Sequence, residues 1–132
     1  MKPLQVTLLL TMIAAVSLTG ADRKKPKPAE VLVLEASARR DGDHIKMDGR
    51  VRNSGERPIQ GLILSFDFFA PGKTPLTTQK GAIEEELLEP GKETAFRMEL
   101  GDIGRAVSFQ INAFDESGRD LKVIKPGPFP IE

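Results

Sequence analysis

The amino-acid sequence predicts an all-β fold, an antiparallel β-sandwich of about seven strands. From residue 31 onward, apolar residues recur at every second position, as they do in half-buried strands. Clusters of Gly, Pro, Asn and Asp interrupt this alternation at short intervals and mark turns. No apolar stripe with the helical period persists in this region. The chain has 132 residues, which is enough for one domain of ordinary size.

The N-terminal 30 residues are expected to lie outside this domain. Residues 1–21 have the pattern of a signal peptide, with an apolar run of about 15 residues and small residues at Thr19 and Ala21. We expect cleavage after Ala21; the alternative is an uncleaved anchor, which the basic residues after the run would favour. Residues 22–30 alternate lysine with proline and are expected to form an extended basic leader.

Two strands joined by a tight turn open the domain. Residues 44–52 alternate most clearly between apolar and charged side chains. The inward residues of this strand are expected to be Ile45, Met47, Gly49 and Val51. Asp41-Gly42, a dipeptide typical of two-residue hairpin loops, connects it to a preceding strand, residues 31–39. These two strands are therefore predicted to pair.

The most apolar strand spans residues 59–70 and is predicted to be central in its sheet. Its inward residues are expected to be Leu62, Leu64, Phe66 and Phe68. A weaker strand, residues 76–85, follows, and a turn at Pro90-Gly91 introduces the strand of residues 93–100. The inward residues of that strand are expected to be Thr94, Phe96, Met98 and Leu100.

Two further strands, residues 106–115 and 119–125, complete the predicted domain, which spans residues 31–125. The inward residues of the first are expected to be Val107, Phe109, Ile111 and Ala113. Residues 126–132 form a Pro-rich C-terminal tail, whose prolines are expected to end all strand pairing.

Seven short strands in about 100 residues are typical of a sandwich of the immunoglobulin or fibronectin type III kind, with a barrel as the alternative. The sequence contains no Trp and no Cys. An antibody-type domain is excluded because it needs both a buried Trp and a disulfide. The core must therefore consist of Phe and aliphatic side chains.

Several segments resemble the FxLYD domain family of secreted and envelope proteins over roughly residues 31–123. Residues 49–55 match a G-x-V-x-N-x-G pattern, and residues 88–91 match an L-x-P-G turn. The name motif corresponds to residues 66–70, where Phe69 replaces its Tyr and Ala70 its Asp. The resemblance implies a β-sandwich outside the cytoplasm, usually without assigned chemistry. Asn53 and Gly55 are expected to adopt left-handed conformations as the chain leaves its strand.

Composition and motifs argue against catalysis and cofactors. The 19 basic and 19 acidic side chains cancel, so no net field would attract nucleic acid. Without Cys there are no thiolate ligands, and the single His44 falls on a polar strand face. Two acidic clusters, Asp41 with Asp43 and Asp115 with Glu116, offer calcium ligands, but their loops are expected at opposite ends of the sandwich. We expect a non-enzymatic protein with no cofactor and no metal.

Some large apolar side chains are expected on an outward sheet face. The candidate interaction surface comprises Ile59, Ile63, Phe69 and Phe114. If residues 59–70 pair with residues 106–115, Ile59 should lie near Phe114, and Ile63 beside Gln110. The alternative is that loops or the Pro-rich tail cover these side chains.

These observations predict an exported module, periplasmic or extracellular, without a membrane span once the signal peptide is cleaved. Its function is expected to be protein–protein interaction or structural support in the cell envelope, with another envelope or secreted protein as partner and no nucleic acid. One alternative is a chaperone-like or inhibitor-like accessory protein that uses a free edge strand. Another is a module that binds carbohydrate or calcium.

Overall fold

The computed structural model describes residues 30–83 and 86–132, whose regular structure is β-strand apart from one turn of 3₁₀ helix at Pro71–Lys73. The strands are β1 Glu30–Asp41, β2 His44–Asn53, β3 Ile59–Gln60, β4 Ile63–Ala70, β5 Thr74–Ala82, β6 Leu87–Leu88, β7 Glu93–Gly101, β8 Ser108–Phe114, β9 Asp120–Ile124 and β10 Phe129–Pro130. The predicted all-β fold is confirmed. The predicted signal peptide and residues 22–29 of the leader lie outside the described residues, whereas Glu30 already belongs to β1.

One curled sheet of seven strands organises the fold, in the order β5-β4-β8-β9-β1-β2-β7. Neighbouring strands are antiparallel except β9 and β1, which pair in parallel. β10 also pairs with β8, and β3 forms a separate short ladder with β6. β5 and β7 are the two ends of the curled sheet, and within the described ranges no ladder joins them.

The core lies between the two halves of the curled sheet. Phe66 of β4 and Phe96 of β7 come from opposite halves, and their ring centroids are 5.5 Å apart. Phe109 of β8 lies 6.2 Å from Phe66, so three strands contribute to one aromatic cluster. Most of the predicted inward residues are buried, which confirms their assigned faces: Ile45, Met47, Gly49, Val51, Leu62, Leu64, Phe66, Phe68, Phe96, Phe109, Ile111 and Ala113.

Val107 is an exception, and its predicted inward position is wrong. It is 43% exposed, while the neighbouring Ala106 is fully buried. Val107 lies just before β8, where its amide donates to the carbonyl of Phe69 and its carbonyl accepts from the amide of Ile131. The backbone at this point links two strands before the regular alternation of β8 begins, so the strand face cannot be extrapolated back to Val107.

The predicted strand of residues 59–70 is interrupted at Gly61. Gly61 has φ +66°, a left-handed conformation that ends the extended backbone. A Cβ at this position would lie 2.5 Å from the Cβ of Glu116, so the site also lacks space for any side chain. Residues Ile59–Gln60 therefore leave the line of β4 and pair with Leu87–Leu88. Ile59 is 1% exposed and belongs to the core.

The Pro-rich tail continues the fold, so the expectation that its prolines end strand pairing is wrong. Phe129 is paired with Phe109 of β8. Beyond Pro130, the amide of Glu132 donates to the carbonyl of Ala38 at 2.9 Å, and the amide of Arg40 donates to the carbonyl of Glu132 at 2.8 Å. Residues between and after the prolines still have amides to donate. The tail thus lies between β8 and β1, beyond the end of β9.

Two predicted turns are present, one of them shifted by one residue. β1 and β2 pair as expected, but Asp41 is paired with His44, so the two-residue loop is Gly42-Asp43, one residue further along. At Pro90-Gly91 the predicted type II turn is confirmed, with Gly91 at φ +83°.

The left-handed backbone predicted for Asn53 and Gly55 is wrong, since neither residue has a positive φ. Asn53 instead connects two loops through its side chain. Its side chain is fully buried. The side-chain amide donates to the carbonyls of Arg57 at 2.7 Å and Leu88 at 2.9 Å, and its oxygen accepts from the amide of Gly55. Because every polar group of this buried side chain has a partner, Asn53 fixes the loop after β2 to β6.

Candidate interaction surface

The outer face of β1, β2 and β7 is covered by opposite charges. Across β2 and β7 the directly opposed pairs are Lys46 with Glu99, Asp48 with Arg97, and Arg52 with Glu93. Glu93 also binds Arg50. Hydrogen bonds from Arg52 and Arg50 hold the pKa of Glu93 below its usual range. We term this surface the ion-paired face. Lys46, Arg50, Arg52 and Glu93 already form ion pairs within the domain and remain in contact with water, whereas Arg97 and Glu99 form none within the described residues.

The outer face of β4, β5 and β8 is different, because it carries one acidic and one basic residue among uncharged side chains. We term it the neutral face, and define it by Ile63, Ser65, Asp67, Phe69, Thr78, Lys80, Ser108, Gln110, Asn112 and Phe114. The alternation of these residues with the core residues of the same strands places them outward.

A hydrogen-bonded network occupies the centre of the neutral face. Asp67 on β4 accepts from the hydroxyl of Thr78 on β5 at 2.6 Å and from the side-chain amide of Asn112 on β8 at 2.7 Å. Ser65, next to Asp67 on the same face, is only 3% exposed. The network joins three strands through their side chains, so it fixes the orientation of the face. Sequence reasoning missed it because the strand register decides which polar residues meet.

Ile63 and Phe114 form the apolar end of the neutral face. They are direct cross-strand partners on β4 and β8, and both are half-buried. The ammonium group of Lys80 lies 5.3 Å from the centroid of the Phe114 ring, within the range of a cation–π contact. An aromatic ring with a cation over one of its faces is therefore presented at one end of the sheet.

The other predicted surface residues are placed differently. Ile59 is buried in the core, so its predicted position on the outward face is wrong. The residue opposite Phe114 is Ile63, four residues further along the chain. Gln110 is opposite Asp67, not Ile63. The register of β4 against β8 is thus four residues from the predicted one, and residues 59–60 leave the line of β4 at Gly61. Phe69 is half-buried at the opposite end of the face, where it is paired with Ser108.

A cleft of about 760 Å³ opens between the free edges of β5 and β7. Its inner wall is apolar and includes Leu64, Phe66 and Phe96, whereas its rim reaches the charged outer side of the sheet at Arg50 of β2 and Arg97 of β7. Met98 of β7 extends to Gly81 of β5, where a Cβ would collide with its terminal methyl group. One side chain thus bridges the two edges at this end of the cleft.

No group of three or more His, Cys, Asp or Glu side chains is placed to hold a metal ion in residues 30–83 and 86–132. His44 contacts Asp43 at 2.9 Å, with both side chains exposed to solvent. In the same ranges there is no helix with the length and hydropathy required to cross a membrane.

No protein-family model matches this chain, and no curated protein matches it. Among solved structures, the chain is similar to IrmA from Escherichia coli, with 14% identity and a TM-score of 0.49 over 72% of this chain and 83% of that one. It is also similar to the ApaA protein from Bordetella pertussis, with 13% identity and a TM-score of 0.45 over 82% and 93% of the two chains. β-Glucuronidase 2 from Bacteroides uniformis matches at 17% identity and a TM-score of 0.46 over 70% of this chain and 12% of that one. TM-scores below 0.5 at such identities carry no argument about function.

Proposed function

We propose that this chain is a non-enzymatic, exported β-sandwich module of the FxLYD type that binds another envelope or secreted protein through its neutral face. The strand order supports a fibronectin type III-like sandwich, with β1, β2 and β7 as one layer and β5, β4, β8 and β9 as the other. In such a sandwich the ion-paired face is one outer surface, and the neutral face is the part of the other that β4, β5 and β8 form, beside the exposed Asp120 and Lys122 of β9.

The contrast between these two faces is the observation that carries the proposal. A partner that covered the ion-paired face would remove water from many charged side chains. This desolvation costs free energy, and the attraction within the existing ion pairs does not offset it. Covering the neutral face removes water mainly from Ser, Thr, Asn and Gln side chains and from three half-buried apolar residues. Protein interfaces contain fewer charged residues and more aromatic residues than the rest of the surface. The neutral face has two charged residues, Asp67 and Lys80, and two aromatic residues, Phe69 and Phe114.

Ile63 and Phe114 are the expected anchor of that interface. Burying the exposed part of an aromatic side chain contributes more binding free energy than a typical polar contact at an interface rim. The network of Asp67, Thr78 and Asn112 beside them is already formed in the free domain. Little ordering is therefore required on binding, which favours affinity.

The cleft between β5 and β7 favours a second candidate, a chaperone-like role towards an extended segment of an exported partner. A strand added at this opening would have an apolar inner wall on one side and the outer rim of β7 on the other. Ala95 lies on that rim with a small side chain, so it offers the most room at the outer side.

Affinity capture from the envelope fraction separates the two candidates. We expect a partner that is captured by the wild type and by Arg39→Ala, a control on the outer surface of β1, to be lost with the double change Ile63→Ser and Phe114→Ser. Ala95→Gln should leave this capture unchanged, whereas the chaperone-like role predicts loss with Ala95→Gln alone. Equal capture by the double variant and the wild type, with the variant's unfolding midpoint preserved, contradicts the neutral-face proposal.

A further inference from the structure

β7 is a free edge of the curled sheet. It pairs with β2 along one side, from His44 opposite Gly101 to Arg52 opposite Glu93, and no strand lies along its other side within residues 30–83 and 86–132. The N–H and C=O groups on that side are therefore available for pairing with another strand. Seven consecutive residues of this edge, 95–101, read Ala-Phe-Arg-Met-Glu-Leu-Gly.

This segment is complementary to itself when reversed about Met98. In an antiparallel pair of two copies centred on Met98, Ala95 would be opposite Gly101, Phe96 opposite Leu100, and Arg97 opposite Glu99. Small residues thus meet small residues, apolar residues meet apolar residues, and each cation meets an anion. Two-fold symmetry repeats every one of these pairs, as it must in an isologous interface.

The side chains of β7 are placed to use this complementarity. Arg97 and Glu99 are exposed on the outer side, and neither forms an ion pair within the described part of the chain. Met98 and Leu100 are half-buried on the inner side, at the margin of the core. A second strand at this edge would cover both and would give both free charges a partner.

Other registers and the other edge lack this match. Centring the pair on Ala95 would also oppose Glu93 and Arg97, but Glu93 is already bound by Arg50 and Arg52. At the other end of the sheet, β5 carries Lys80 as its one charged residue and has Pro75 near its start, which cannot donate to a ladder. β5 therefore offers no complementary charge pair to a second copy of itself.

We propose that β7 pairs antiparallel with β7 of a second copy of this chain, centred on Met98, to form a two-fold symmetric dimer. The pairing extends the three strands β1, β2 and β7 into a six-stranded sheet across two molecules. It uses no residue of the neutral face, so it is independent of the proposed partner binding.

Disulfide trapping tests the register directly, because the chain contains no cysteine. At the centre of an antiparallel pair a residue faces its own copy at about 4.5 to 5.5 Å between Cα atoms, within reach of a disulfide. Met98→Cys, purified as exported protein, should form a covalent dimer on mild oxidation. In Leu100→Cys the two thiols would be offset by four residues, about 13 Å along the strand, and should remain unlinked. Equal cross-linking of both variants, or none in Met98→Cys, overturns the proposal.

Sedimentation equilibrium tests the charge pairs over roughly 1 to 500 µM, the range expected for a weak interface. Arg97→Glu places a glutamate opposite Glu99 of the other copy, and the two-fold symmetry repeats this repulsion. The change should weaken self-association about tenfold. The combined change Arg97→Glu and Glu99→Arg restores opposite charges and should restore association. Arg39→Glu makes the same charge change on β1 and should have no effect. A wild type that is monomeric throughout, or a double variant no better than Arg97→Glu, contradicts the dimer.

Discussion

Phe96 of β7 lies over the bare backbone of Gly49, its direct partner on β2. A Cβ at Gly49 would lie 2.6 Å from the ring atom Cζ of Phe96 and would also collide with the carbonyl oxygen of Glu35. The ring can reach the centre of the core and contact Phe66 because Gly49 has no side chain. Glycine is required at this position for space, although it sits in the middle of a strand.

Gly49→Ala should therefore destabilise the domain by about 2 to 3 kcal/mol, since both the ring and the backbone of β1 would have to move. Gly104 is a matched control, because nothing lies within 4 Å of a Cβ built there and its φ is ordinary. Gly104→Ala should change the free energy of unfolding by less than about 0.5 kcal/mol. Urea unfolding of both variants measures the difference, and equal effects would show that the Phe96 contact does not constrain position 49.

Asn53→Ala should lower the free energy of unfolding by about 3 kcal/mol, because it leaves the carbonyls of Arg57 and Leu88 and the amide of Gly55 without their partner. Asn112→Ala is the comparison: it removes one hydrogen bond, to Asp67, at a partly buried site and should cost about 1 kcal/mol. Chemical denaturation provides both values. A smaller loss for Asn53→Ala than for Asn112→Ala would contradict the role assigned to Asn53.

Alternation along single strands made much of the fold predictable. The outward or inward position of residues such as Met47 and Phe66 depends only on the period of the strand, so local sequence was sufficient. The Pro90-Gly91 turn was predictable for the same reason, since its two residues specify the backbone they require.

Relations between distant segments were not predictable in this way. The lack of space for a side chain at Gly61 depends on Glu116, a residue 55 positions away along the chain. The pairing of Phe129 depends on a gap left between β8 and β1 after β9 ends. The register of β4 against β8, which alternation along one strand does not specify, decides that Ile63, and not Ile59, is opposite Phe114.

Acid should destabilise the domain partly through Asp115. The hydroxyl of Ser117, followed by the backbone amides of Arg119 and Ser117, lowers the pKa of Asp115 below its ordinary value of 3.8. A carboxyl with a lower pKa in the folded state adds stability above pH 3.8, and this stability is lost as the pH falls through the folded-state pKa.

The unfolding midpoint should thus decrease below about pH 4, and less steeply in Asp115→Asn than in the wild type. Ser117→Ala, which keeps the backbone donors, should give an intermediate slope. Thermal unfolding between pH 2 and pH 7 provides the curves. Parallel curves for wild type and Asp115→Asn would show that Asp115 does not contribute to the loss of stability in acid.

Export predicts a defined mature N-terminus. Mass spectrometry of the protein from its native cells should find Asp22 as the first residue, because the small residues Thr19 and Ala21 suit a signal peptidase. Protein that retains Met1 and sediments with membranes would identify residues 1–21 as an anchor instead.

Site-specific photo-cross-linking in living cells tests the neutral face most directly. A photoreactive phenylalanine analogue at Phe114 should yield a covalent adduct with a partner protein, since Phe114 and its cross-strand partner Ile63 are the expected anchor of the interface. The same analogue at Arg39, on the outer surface of β1, should yield none. An adduct at Arg39 with none at Phe114 would contradict the assignment of partner binding to the neutral face.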